Sequence, residues 1–365
     1  MAKLLFCFPR FHTNAIPWVR ILQQEGHEVS MFVVIQAKTE SYKVIKPVLV
    51  KKSWISEWIV SRFPGRGANC PRAFPGFREH WNAINGVDPD VVIVRDFSRL
   101  FSIVTAIICW LQRRPLVAYD QEAACPKPFS RAWGKRQVVR WVARAQFTSR
   151  RRLGEEIGCR GGALFIPFGL DRRDGNYRLV SRPAGHIPRI LMVAKYRQRK
   201  GHKKLIDALA ILAKETAFSM TFCGEEASEE DISFRRNLEV RAGSKGIFDR
   251  IKFLSNVDHV EMPKLYEDHD VFVLPSKNEP AAVSPIEAAS FGCAVVISAD
   301  SGTRGYFPAE ERFSLDPDDP IEIAQKLYDL IVSPDRLESG RRACFYQIHQ
   351  ICSDERILRT FESFL

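Results

Sequence analysis

Short apolar runs of strand length alternate along the chain with longer stretches whose apolar residues recur at helical spacing. Residues 3–8 form an apolar run. Residues 18–25 carry a helical pattern stopped by Gly26, and residues 28–35 return to a strand. Further on, Pro89-Asp90 leads into an apolar run at 91–95 and Pro115 into another at 116–119, each followed by a helical stretch. Strands this short and this apolar are covered on both faces, so the alternation predicts a parallel, doubly wound sheet. Residues 171–188, rich in charge, proline and glycine, read as a linker. The pattern then restarts, with strands at 189–194, 219–223, 251–253, 271–274 and 294–298 and a helix over 203–214. The fold class is therefore α/β, with two doubly wound Rossmann-like domains facing a cleft. The expected domains are 1–178, 179–350 and a closing helical segment 351–365.

A chain of 365 residues is long for one hydrophobic core, which agrees with two domains. The longest apolar run, 100–111, is too short for the ~20 residues of a bilayer span. The N-terminal run is too short for a signal peptide. Nine scattered cysteines without a CxxC pair suggest neither a disulfide framework nor a zinc site, and fit a reducing cytosol. The net charge of +11 is lopsided: residues 1–170 carry 26 Lys+Arg against 12 Asp+Glu, and residues 171–365 carry 28 against 31. The first half thus faces something anionic, for which nucleic acid and an acidic membrane surface are the two candidates. No aromatic-basic recognition module supports nucleic acid, so none is expected as a partner. Residues 51–62 place Trp54, Ile55, Trp58 and Ile59 on one arc beside Lys51 and Lys52, as in either an interfacial helix or a core-facing one. Arg136, Arg140 and Arg144 recur every four residues opposite Val138, Trp141, Val142 and Ala145. Such patches fit peripheral attachment to an anionic membrane, at the inner face of the plasma membrane.

The richest segment for chemistry is 271–298. A strand ends at Leu274, a loop follows, and Ser284-Pro285-Ile286-Glu287 reads as a capping box that opens a helix. Glu287 either caps its own helix or joins Glu279, eight positions earlier, in a site. The helix start also offers N–H groups to a phosphate. Two glutamates separated by seven residues in this strand–loop–helix context resemble the E-x7-E signature of glycosyltransferase family 4. Pro280, Ala281, Ala282 and Val283 stand between them, where many relatives carry glycines. The stretch 191–206, LMVAKYRQRKGHKKLI, is similar to the family's diphosphate-holding segment. Lys200-Gly201 matches its Lys-Gly, and Lys195 stands where Arg is usual, with Arg197 or Arg199 able to supply the missing contact. Residues 166–171, IPFGLD, look like the family's interdomain hinge.

The resemblance implies the GT-B fold and transfer of a sugar from a nucleotide donor with retention. It also implies a C-terminal helix crossing back to the first domain. Residue by residue, Glu279 would contact the transferred sugar and Glu287 the ribose. Lys195, Arg199, Lys200, Gly201 and the loop residues Ala281, Ala282 and Val283 would line the donor. The first βα loop lacks the family's glycines, and His12, Thr13 and Asn14 are its acceptor-side candidates. The histidine usual after the 116–119 strand is also missing, and Asp120 or Glu122 would substitute for it. Lys200 and Glu279, with Asp120 and Glu122, are the catalytic candidates. Asp88-Pro89-Asp90 reads as a turn, and neither a metal nor another cofactor is expected. The expected donor is a UDP-sugar and the acceptor a lipid-linked molecule or saccharide, in cell-envelope polysaccharide or lipopolysaccharide assembly. A nucleotide-sugar epimerase of the same fold and a non-catalytic nucleotide-sugar-binding protein are the alternatives.

Overall fold

The computed structural model describes residues 1–11, 13–35, 44–62, 72–96, 99–121, 131–152, 163–170, 179–183 and 185–365. The chain forms two compact units. Unit 1 comprises Met1–Arg150, Glu156–Asp171 and Cys352–Leu365; unit 2 comprises Arg151–Glu155 and Arg172–Ile351. The first part of the expected linker, 171–178, lies outside the described residues.

Unit 1 contains β1 (Lys3–Cys7), α1 (Ile16–Gln24), β2 (Glu28–Val33), β3 (Val48–Leu49), α2 (Trp54–Arg62) and α3 (Phe77–Val87). It continues with β4 (Val91–Arg95), α4 (Leu100–Leu111), β5 (Leu116–Tyr119), α5 (Arg131–Val142), β6 (Ala145–Thr148) and β7 (Leu164–Phe165). The strands make one parallel sheet in the order β3-β2-β1-β4-β5-β6-β7. Alternate residues along each strand enter different cores, as the two-residue pleat demands. Leu4, Phe6, Ile93 and Tyr119 pack under α1, together with Ile357 and Phe361 of the last helix. Leu5, Cys7, Val92 and Ala118 pack under residues of α2, α3, α4 and α5. Asp88 ends α3 in the left-handed conformation and binds Arg114, while the Asp90 carboxylate accepts the Lys3 N–H at 2.7 Å. The Asp88–Asp90 turn therefore serves strand entry.

Unit 2 runs β8 (Arg189–Val193), α6 (His202–Leu212), β9 (Ser219–Gly224), α7 (Glu229–Ser244), β10 (Ile251–Ser255), α8 (Met262–Glu267) and β11 (Val271–Leu274). After these come α9 (Ser284–Ser290), β12 (Ala294–Ser298), β13 (Ser314–Leu315), α10 (Pro320–Ile331) and α11 (Pro334–Ile351). Its parallel sheet has the order β10-β9-β8-β11-β12-β13. The connections leave β8 in one direction and β11 in the other, so the switch point lies between these two strands. Ligands of open α/β sheets bind beyond the strand carboxyl ends at such a point. The start of α7 is fixed by the Ser228 side chain, that of α10 by Asp319, and that of the final helix α12 (Asp354–Glu362) by Ser353.

Candidate functional site

The two loops that leave the unit 2 switch point are laced together. After β8 the chain makes a 3-10 turn over Gln198–Lys200, and Gly201 enters α6 with φ +84°. A Cβ on Gly201 would stand 2.0 Å from the Pro275 carbonyl oxygen, so both the positive φ and the close approach require glycine here. The Lys277 N–H donates to the Arg199 carbonyl at 2.9 Å, and the Ser276 hydroxyl oxygen lies 3.3 Å from the same oxygen. Asn278 holds φ +49°, a left-handed conformation rare outside glycine, just before Glu279.

This lacing brings three donors to one oxygen. Oε2 of the buried Glu279 accepts from Lys200 Nζ at 2.5 Å, Ser276 Oγ at 2.7 Å and Arg199 Nη1 at 3.0 Å. Its backbone carbonyl accepts the Gly302 N–H at 2.8 Å. Burial pushes the Glu279 carboxyl up, but Lys200, Ser276 and Arg199 outweigh it and hold the group below its ordinary range. Burial likewise lowers Lys200, against the pull of Glu279. Two cations facing one carboxylate leave a positive surplus at the switch point, which is the electrostatic requirement for an anionic ligand.

Glu287 sits one turn into α9, where its Oε2 accepts from the buried Tyr266 hydroxyl at 2.8 Å. Tyr266 is stacked on Phe291, 5.8 Å between centroids, and burial raises its phenol well above the ordinary value. The expected capping box is not formed. Ser284 is already helical, and its hydroxyl donates to the Val193 carbonyl of β8 at 3.0 Å instead of capping. Tying α9 to β8 satisfies that hydroxyl and frees Glu287 from a capping role.

Among the other donor-side candidates, Lys195 pairs with Glu225 at 2.5 Å and Arg197 with Asp231 at 3.5 Å. Arg199 is thus the arginine that accompanies Lys200 at Glu279. Ala281 and Val283 are half-buried and Ala282 is buried in the loop between the glutamates. On unit 1, Asp120 lies buried at the end of β5, and its N–H donates to the Phe147 carbonyl at 3.0 Å. Thr13 and Asn14 form a 3-10 turn before α1; His12 and Glu122 lie outside the described residues. Asn14 Oδ1 accepts from Arg95 Nη1 at 3.5 Å, and Gln121 Oε1 from Arg95 Nη2 at 2.7 Å. Arg95, at the carboxyl end of β4, lies over the Phe8 and Tyr119 rings. Arg95, Ser276 and Tyr266 are the polar residues of these two edges that sequence reasoning missed. No spacing rule marks them, because each acts on a partner brought to it by a different loop or helix.

Residues 179–343 match the family described as glycosyl transferases group 1. The matched segment lies within unit 2. Mannosylfructose-phosphate synthase of Agrobacterium fabrum is 29% identical over 116 residues, 31% of this chain and 26% of that protein. D-inositol 3-phosphate glycosyltransferase of Geodermatophilus obscurus is 28% identical over 233 residues, 60% of this chain and 52% of that protein. The chain therefore spans about half the length, or less, of these curated relatives. Among solved structures, sucrose-phosphate synthase from Thermosynechococcus elongatus aligns with a TM-score of 0.69 at 16% identity, over 100% of this chain and 98% of that one. Anabaena HepE in complex with UDP and glucose aligns at 0.74 and 15%, over 100% and 99%. These likenesses establish the GT-B fold. Among the described residues, no helix is long and apolar enough to cross a membrane.

Proposed function

We propose that this protein is a glycosyltransferase that moves a hexose, with retention, from a nucleoside-diphosphate donor to a lipid-linked or saccharide acceptor. The observation that carries the reading is the convergence of Lys200, Arg199 and Ser276 on one oxygen of Glu279, at the switch point of unit 2 and within the segment that matches glycosyl transferases group 1. The positive surplus there suits a donor diphosphate. Lys200 and Arg199 divide their charge between Glu279 and the incoming phosphates, and Glu279 gains a sugar hydroxyl as donor in exchange. Glu287, oriented by Tyr266, receives the ribose hydroxyls. As the bond from the anomeric carbon to the leaving phosphate breaks, negative charge builds on that phosphate, and the preorganised cations stabilise it. The acceptor hydroxyl attacks on the same face and passes its proton to the departing phosphate oxygen.

A UDP-sugar is the favoured donor, supported by the solved HepE complex with UDP-glucose. The surplus of cations in residues 1–170 supports an acceptor at an anionic membrane surface, and cell-envelope polysaccharide assembly is the setting we assign. The test is release of nucleoside diphosphate from UDP-, GDP- and ADP-sugars in the presence of pooled saccharide and prenyl-diphosphate-linked acceptors. Glu279→Gln should lower turnover by about 10²–10³, with the protein still folded. Turnover unchanged in this variant would overturn the assignment of the site.

A further inference from the structure

We propose that the outward surface of the α2–α5 layer of unit 1 docks on an anionic phospholipid bilayer. The inference deepens the transferase reading by naming the surface and the partner through which a membrane-borne acceptor is reached, and it rests on that reading only for its purpose.

The two helical layers of unit 1 differ sharply. Helices α2 to α5 cover one face of the seven-stranded sheet, and α1 with α12 covers the other. Among the described residues, α1 and α12 expose no large hydrophobic side chain. The α2–α5 layer exposes, among the described residues, four tryptophans: Trp54 by 77%, Trp58 by 60%, Trp110 by 52% and Trp141 by 73%. Trp110 of α4 and Trp141 of α5 lean on each other, 5.6 Å between ring centroids. Ile107, Leu111 and Val138 are exposed on the same two helices, so an aliphatic patch spans the α4–α5 seam. The helix α2 is turned against its own apolar arc. Ser56 is its buried side chain, held by the Phe74 N–H, while Trp54, Ile55 and Trp58 face solvent.

Charge selects the partner. Residues 51–62, 77–87, 99–114 and 131–144 together carry 12 Lys and Arg against two acids, Glu57 and Glu79; Arg99 and Arg114 among them are paired with Asp96 and Asp88. Arg113 and Arg144 are exposed at the ends of α4 and α5. A second copy of the chain would bring the same cations against themselves. Nucleic acid would neutralise the arginines but leave Ile107, Leu111 and Val138 without an apolar medium. A bilayer of anionic lipid meets both demands, because indole rings settle at the headgroup level, aliphatic side chains enter the acyl boundary and cations face the lipid phosphates.

The experiment is flotation of the full chain with vesicles of phosphatidylcholine alone and of phosphatidylcholine with 30% phosphatidylglycerol. Brominated lipid serves as a quencher of tryptophan fluorescence in parallel. Wild type should float with the anionic vesicles and be quenched by them, and do neither with the neutral ones. Trp110→Ser/Trp141→Ser should lower partition by about tenfold, and Arg113→Gln/Arg144→Gln by about 30-fold. All four side chains are solvent-exposed, so thermal melting without lipid should stay at the wild-type value, and any response to UDP should be unchanged. Equal binding to neutral vesicles, no binding to either, or full binding by both double variants would overturn the proposal. So would retention on an oligonucleotide column, or self-association, that the tryptophan variant abolishes while vesicles are ignored. Loss of the UDP response with vesicle binding intact would instead count against the transferase reading.

Discussion

Gly201→Ala is the substitution whose cost follows most directly from the geometry of the site. Gly201 has φ +84°, and an added Cβ would lie 2.0 Å from the Pro275 oxygen and 2.9 Å from the Pro275 carbonyl carbon. An L-residue in the left-handed region costs ~1–2 kcal/mol, and forcing backbone apart in a packed region costs ~1–3 kcal/mol more. The sum is about 2–5 kcal/mol, a fall in melting temperature of roughly 5–15 °C for a unit of this size. Gly246→Ala separates the two contributions, since Gly246 also has positive φ, +70°, but nothing lies within 4 Å of its Cβ position. That control should lose only ~1–2 kcal/mol. Chemical denaturation followed by circular dichroism reads both. Because the same loop carries Arg199 and Lys200, Gly201→Ala should also weaken nucleotide binding, and Gly246→Ala should leave it intact. Equal stability of the two variants would refute the claim that the β8–α6 loop is packed on Pro275. The Lys200–Glu279 contact would then lose its support.

Tyr266→Phe removes one hydrogen bond to Glu287 and should raise KM for the donor about tenfold with kcat within about twofold. The loss should shrink with a 2′,3′-dideoxyribose donor, and an equal loss with both donors would argue that Tyr266 acts only on packing. Acid should weaken both units through buried neutral histidines. Burial lowers His80 to about 4 and His202 to about 3. The unfolded chain protonates these side chains near pH 6.5 while the folded chain does not, so stability is lost as pH falls below that value. By about pH 4.5 each should cost ~2–3 kcal/mol. Denaturation midpoints in urea that stay flat between pH 7 and pH 4.5 would contradict this.

The tandem sheets were legible because each central strand is buried on both faces and therefore reads as an uninterrupted apolar run; β4 and β12 are buried throughout. The edge strands β3 and β7 are two residues each, too short to leave a period in the sequence. Helix α2 shows the limit of periodicity. Its apolar arc was visible, but whether the arc faced the core or solvent was settled by Ser56, whose hydroxyl is taken up by the segment preceding α3. At the site, the two glutamates and Lys200 were singled out by the resemblance to glycosyltransferase family 4. The partner of Lys200 was not, since spacing cannot show that a 3-10 turn aims Arg199 and Lys200 at Glu279 and leaves Lys195 to Glu225. The capping box failed for a similar reason: Ser284 found a tertiary acceptor on β8 that a local motif cannot foresee.

The claim that unit 2 holds a nucleotide-sugar donor is tested most directly by the melting temperature of wild type and Glu287→Ala against UDP-, GDP- and ADP-linked sugars. A ligand at ~100 times its dissociation constant stabilises by ~2.7 kcal/mol, a shift of several degrees. One donor class should raise the wild-type melting point, with UDP-sugars expected, and Glu287→Ala should lose the response. A wild type that answers to no nucleotide sugar, or a variant that responds as fully as wild type, would contradict the assignment.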